Sequence, residues 1–83
     1  MKFIKEDSRI YSLDNNKKVI AEITFDESEY GIFTISHTFV DESLRGQGIA
    51  GKLVEMAVEE IEKRGGKVEA TCSYAKKWLE KNR

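Results

Sequence analysis

The segment Arg45-Gly46-Gln47-Gly48-Ile49-Ala50-Gly51 sets closely spaced glycines at the start of an apolar-periodic run. That is the pattern of a turn that cradles a phosphate at a helix N-terminus. Glycine lets the backbone approach an anion with no Cβ in the way, and the first amides of a helix have no partner inside it. The other residues with chemical reach are the lone cysteine Cys72, the lone histidine His37, and Tyr74. Cys72 reads either as a small buried hydrophobe or as a nucleophile that carries an acyl group as a thioester. The second role needs a base or a helix start nearby to favour the thiolate. His37 is the one side chain whose ordinary pKa lies near neutrality, and it reads as a structural residue of a strand face or as that base. Tyr74 either packs under a helix cap or donates a proton to a departing thiolate.

The glycine turn fits three motifs, which the surrounding residues separate. As Gly-x-Gly-x-x-Gly it resembles a dinucleotide fingerprint, with Glu69 about twenty residues further on. That motif places its first glycine directly after a strand, whereas Asp41-Glu42-Ser43-Leu44-Arg45 intervenes here. As Gly-x-x-x-x-Gly-Lys it approaches a P-loop, but Leu53 stands where a magnesium-binding Ser or Thr belongs. As Arg-x-x-Gly-x-Ala, led by Arg45, it resembles an acyl-coenzyme A turn. A glycine-rich helix start with no ligand is the remaining reading.

The elements that must position these residues follow from periodicity. Arg9–Leu13 alternates weakly and Asp14-Asn15-Asn16-Lys17 supplies a turn. Val19–Phe25 is a second strand, Asp26-Glu27-Ser28-Glu29 a second turn, and Tyr30–Val40 a β-branched and aromatic third strand. Alternation along it puts His37 on one face with Ile35 and Phe39, and Ser36, Thr38 and Val40 on the other. From Gly48 the period changes: Ile49, Leu53, Met56, Ala57 and Ile61 make one face of an amphipathic helix that stops at Gly65-Gly66. Lys67–Thr71 reads as a strand. Tyr74–Asn82 reads as two turns of helix with Ala75, Trp78 and Leu79 inward and Lys76 and Lys77 exposed. The order β-β-β-α-β-α predicts an α+β fold: an antiparallel meander leading into a β-α-β unit with one parallel strand pair.

Composition narrows the class. Eighty-three residues predict one domain spanning residues 1–83, and 14 basic against 15 acidic residues leave no field for nucleic acid or an anionic membrane. One cysteine and one histidine exclude an intrachain disulfide and the paired-histidine or cysteine-rich metal sites. Met1–Glu6 holds no apolar run long enough for a signal peptide or a membrane span, so the expected location is cytoplasmic. An exposed strand edge in so small a sheet leaves the chain a monomer or a weak homodimer.

Val40–Leu53 resembles motif A of the GNAT superfamily of N-acetyltransferases, and Ser36–Val40 with Cys72-Ser73-Tyr74 resembles its compact, single-domain YjdJ-type N-acetyltransferase-like family. The resemblance covers roughly residues 9–82. It implies acetyl-coenzyme A as cosubstrate, with no metal, and a backbone cradle for its pyrophosphate at Arg45, Gly46, Gln47, Gly48, Ile49, Ala50 and Gly51. It implies main-chain contacts from Phe39 and Val40 to pantetheine, lying between two splayed parallel strands. It adds catalytic roles for Cys72, His37 and Tyr74 in transfer of the acetyl group to an amine. Longer members of the superfamily carry further helices and strands that build the acceptor pocket. The alternative expectation is therefore an acyl-coenzyme A-binding module, or an interaction domain, without turnover.

Overall fold

Ala21, Ile23 and Phe25 alternate along one strand and all three are fully buried, while Glu22 and Thr24 between them face the other way. That period of two builds the sheet. The computed structural model describes residues 1–82. Its elements run β1 (Ile4–Lys5), β2 (Arg9–Leu13), β3 (Val19–Glu29), β4 (Ile32–Val40), a 3-10 turn (Glu42–Leu44), α1 (Ile49–Lys63), β5 (Lys67–Ala70) and α2 (Ser73–Asn82). The five strands form one sheet in sequence order. Pairing is antiparallel from β1 to β4 and parallel between β4 and β5. The mixed α+β fold with a single parallel pair is the one expected from periodicity.

One face of the sheet is closed by α1. Leu53, Val54, Ala57, Val58 and Ile61 recur at three and four residues, are buried, and pack in one cluster with Ile10, Ile23, Phe25, Ile35 and Ala75 of α2. Each large side chain so buried stabilises the fold by roughly 1.5–3 kcal/mol before entropy is counted. α1 ends as its glycines predict. The Gly66 amide donates to the Ile61 carbonyl at 3.0 Å and the Gly65 amide to the Glu62 carbonyl at 2.9 Å, the Schellman pattern.

Gly66 is also a packing requirement. A Cβ there would sit 2.6 Å from Phe33 Cδ1 and 3.2 Å from Ile61 Cγ2, so the Phe33 ring must move to admit it. Gly66→Ala is expected to destabilise the fold by about 1–3 kcal/mol through overpacking, read as a lower urea midpoint. An unchanged midpoint would show that the ring is free to shift.

Three details depart from the periodicity. A short strand, β1, pairs outside β2, through Ile4 opposite Tyr11. Ser12, at 1% exposure, ties it down by donating to the Lys2 carbonyl at 2.7 Å. Asp26–Glu29, expected as a turn, belongs to β3, and the chain reverses at Tyr30-Gly31 instead. Polar cross-strand bonds extend the hairpin past the core: Ser28 Oγ lies 2.9 Å from Thr34 Oγ1, and the Glu27 carboxylate accepts from the Gly31 amide at 2.8 Å.

The third departure concerns the face on which His37 lies. Thr24 pairs with His37, yet Phe25 pairs with Ile35, so Ser36 is one extra residue in β4, a β-bulge. The bulge reverses the alternation. Ile35, Thr38 and Val40 stand opposite the buried Phe25, Ile23 and Ala21, on the helix side. His37 and Phe39 stand opposite Thr24 and Glu22, on the open face. His37 therefore does not share a face with Ile35, as strict alternation had it.

Candidate functional site

β4 and β5 pair only from Ile32 and Lys67 to Ile35 and Ala70. Both the Thr71 amide and the Cys72 amide then donate to the Ile35 carbonyl, at 3.0 and 3.3 Å, and the strands part. β4 continues to Val40 while the segment after β5 turns into α2. Two parallel strands that separate in this way leave a crevice at their carboxyl ends, where ligands of such sheets bind.

The crevice is a cleft of about 360 Å³. Thr38 and Val40 of β4, Leu44, Arg45 and Gly46 of the loop, Gly48, Ile49 and Ala50 at the start of α1, and Tyr74 of α2 line it. The loop is held in shape by Asp41, whose carboxylate accepts from the Ser43 hydroxyl at 2.6 Å and the Ser43 amide at 3.1 Å. Those two donors hold the Asp41 carboxyl below its usual range. Gly48 caps α1 in the left-handed region, φ 73°, and offers no side-chain cap. The first intrahelical bond runs from the Lys52 amide to the Gly48 carbonyl at 3.1 Å, so the amides ahead of it point out of the helix start. A Cβ at Gly46 or Gly48 would meet no protein atom within 4 Å. The backbone there faces empty space.

Cys72 joins this cleft through Thr38. Its thiol lies 3.6 Å from Thr38 Oγ1. The Cys72 carbonyl accepts from the Lys76 amide at 3.0 Å, which makes Cys72 the residue that caps α2. Burial pushes the thiol up, but the Ala75 amide, the Thr38 hydroxyl and the amides of Tyr74 and Thr38 outweigh it. The thiol consequently lies below its ordinary range.

The structure gathers some of the expected site residues and separates others. Val40, Arg45, Gly46, Gly48, Ile49, Ala50 and Tyr74 border one cleft, with Cys72 beside it. Gln47 is exposed and is not among the lining residues. Gly51 faces α2: a Cβ there would lie 3.3 Å from Tyr74 Oη and 3.6 Å from Trp78 Nε1, so its small size lets the two helices approach. Phe39 presents its side chain to the open face. His37 does the same, with its side chain 56% exposed and Nε2 3.9 Å from Glu22 Oε1. Glu22 in turn meets Arg9 Nε at 2.7 Å, and Arg9 stacks on Tyr11. His37 and Cys72 therefore lie on opposite sides of β4. The cleft-lining side chain missed from periodicity is Thr38. The odd separation of Ile35 and Val40, both needed by the core, is the signal of a bulge that would have found it.

Among the described residues no group of His, Cys, Asp and Glu is placed to hold a metal ion. None of the described helices is long and apolar enough to cross a membrane.

The model of the GCN5-related N-acetyltransferase family matches residues 9–83. A GCN5-like protein from Staphylococcus aureus, itself a proposed N-acetyltransferase with a structure solved by NMR, is 34% identical. It superposes with a TM-score of 0.79 over 96% of this chain and 78% of its own length. A proposed acetyltransferase from Agrobacterium tumefaciens is 30% identical, with a TM-score of 0.69 over 92% of this chain; the chain spans 57% of that protein. The GNAT family N-acetyltransferase YhbS from Escherichia coli, solved in complex with CoA, shares the fold at 24% identity and a TM-score of 0.59. That match covers 70% of this chain and 35% of the Escherichia coli protein. No curated protein matches the chain.

Proposed function

This chain belongs to the GCN5-related N-acetyltransferase family, and on that premise we propose that it binds acetyl-coenzyme A on Arg45–Ala50 and transfers the acetyl group to an amine. The observation that carries the proposal is the bare backbone of Gly46 and Gly48 at the start of α1, facing the cleft that the parting of β4 and β5 creates. The residues present fit the ligand. A cleft of about 360 Å³ is of ligand size, and two glycines without neighbours leave the space that a diphosphate needs. Unpaired amides at a helix start, with the helix dipole behind them, favour a doubly charged group, and the Arg45 guanidinium adds charge balance.

From the turn, a pantetheine arm following Val40 and Thr38 leads to Cys72. Acetyl-coenzyme A supplies an acetyl thioester, whose carbonyl carbon is the electrophile. The Cys72 thiolate attacks that carbon, the bond from the acetyl carbon to the coenzyme sulfur breaks, and the coenzyme leaves as the free thiol with the proton Cys72 gave up. An amine then attacks the Cys72 thioester, forms the amide and restores the thiol. The lowered thiol and its convergent amide and hydroxyl donors support this route over direct attack by the amine. Tyr74, at 43% exposure and on the cleft wall, would serve as the group that hands that proton to the departing sulfur.

Intact-mass measurement after incubation with acetyl-coenzyme A tests the proposal. The expected result is one acetyl group, mapped by peptide digestion to Cys72 and discharged by a primary amine. Coenzyme A binding with no adduct and no consumption of acetyl-coenzyme A on adding amines would instead identify a binding module.

A further inference from the structure

We propose that Thr38 is the positioning residue for Cys72: its hydroxyl holds the sulfur beside the cleft, and the bulge at Ser36 brings Thr38 there. This rests on the reading that Cys72 receives the acetyl group.

The geometry has three parts. With strict alternation from Ile35, His37 would face the helix side and Thr38 the open face. The extra residue exchanges them, so that Thr38 stands opposite the buried Ile23 and lines the cleft. Its hydroxyl then lies 3.6 Å from Cys72 Sγ across the gap where β4 and β5 have parted. A hydroxyl can accept from the thiol and, once the proton has left, rotate to donate to the thiolate. The amides of Ala75 and Tyr74, at the start of α2, and the Thr38 amide also act to lower the thiol. Donors from two elements thus meet at one atom. Those from α2 belong to any residue that caps a helix, whereas the Thr38 hydroxyl is contributed across the cleft by a side chain.

Little else faces the sulfur with charge. From α2, Tyr74 borders the cleft while Lys76 and Lys77 are exposed. From the loop, Arg45 lines the cleft, and α1 presents Ile49 and Ala50 there. From β4, His37 faces the other side of the sheet. Thr38 is therefore the side chain through which β4 can favour the thiolate.

Alkylation of Cys72 by iodoacetamide, followed against pH, reads the thiolate directly and needs no acetyl transfer. Thr38→Val keeps the shape and removes the hydroxyl; Thr38→Ala removes it without adding volume; Thr38→Ser keeps it. The expected result is a midpoint moved upward in Thr38→Val and Thr38→Ala, with alkylation at neutral pH slowed about tenfold. Thr38→Ser should keep the wild-type profile. Coenzyme A-induced amide shifts at the glycine turn should persist in each variant, which shows that the fold is retained. Wild-type profiles in Thr38→Val and Thr38→Ala would overturn the proposal, as would a Thr38→Ser profile displaced as far as theirs. If the wild-type protein gives no acetyl adduct while the alkylation profile still follows the hydroxyl, the acetyl-carrier reading fails and the hold of Thr38 on Cys72 stands.

Discussion

Gly48→Val is expected to weaken coenzyme A binding about 100-fold, the equivalent of about 3 kcal/mol, while leaving the sheet and core intact. Two effects combine. At φ 73° a β-branched residue strains the backbone by roughly 1–2 kcal/mol, which tips the turn away from the conformation that aims its amides outward. The side chain also enters the space facing the cleft, where the protein itself offers nothing within 4 Å to clash with it. The absence of a protein clash separates the two effects. Gly48→Asn tolerates the left-handed region and still adds a Cβ. It should therefore restore most of the stability lost in Gly48→Val but little of the affinity, measured by urea midpoint and by calorimetric titration. Equal recovery of both would place the ligand elsewhere.

Cys72→Ala is expected to abolish the acetyl adduct and to lower turnover on the order of 10³-fold or more, with coenzyme A affinity nearly unchanged. Affinity should survive because the proposed phosphate cradle is the glycine turn, whereas Cys72 meets the cleft through Thr38. A pH signature accompanies the substitution. The folded-state pKa of Cys72 is lowered, so the native state favours the thiolate. Stability from this source is complete above the ordinary thiol pKa and is lost as pH falls through the lowered folded value. Urea midpoints of the wild-type protein should therefore rise with pH through that window relative to those of Cys72→Ala. Parallel midpoints in the two proteins would mean that the native fold does not favour the thiolate.

Much of the glycine turn at the start of α1 is local, and for that reason its shape was legible. Gly46, Gly48 and the helix that follows them form a contiguous stretch, and the α1 period from Ile49 to Ile61 needs no knowledge of its partners. The parallel pair likewise follows from one helix standing between two strands. What the residues alone hid depends on register. Ile35, Ser36, His37 and Thr38 read as simple alternation; the odd spacing of Ile35 and Val40 hints at a bulge, and pairing against β3 shows that Ser36 is the extra residue. That one residue decides whether His37 or Thr38 meets Cys72. Asp26–Glu29 resembles a turn locally but lies in paired strand once Ser28 and Thr34 meet. Gly51 matched the glycine motif by spacing, yet in three dimensions it serves the contact of α1 with Tyr74 and Trp78.

Whether the turn from Arg45 to Ala50 holds the pyrophosphate of coenzyme A is tested by titrating the isotope-labelled protein with coenzyme A while following backbone amide resonances. The largest shifts are expected at residues 45–51, with smaller ones along Thr38 and Val40 and none at the open-face pair of Glu22 and Arg9. Shifts that bypass the turn, or an equal response to ATP or NADH, would contradict it.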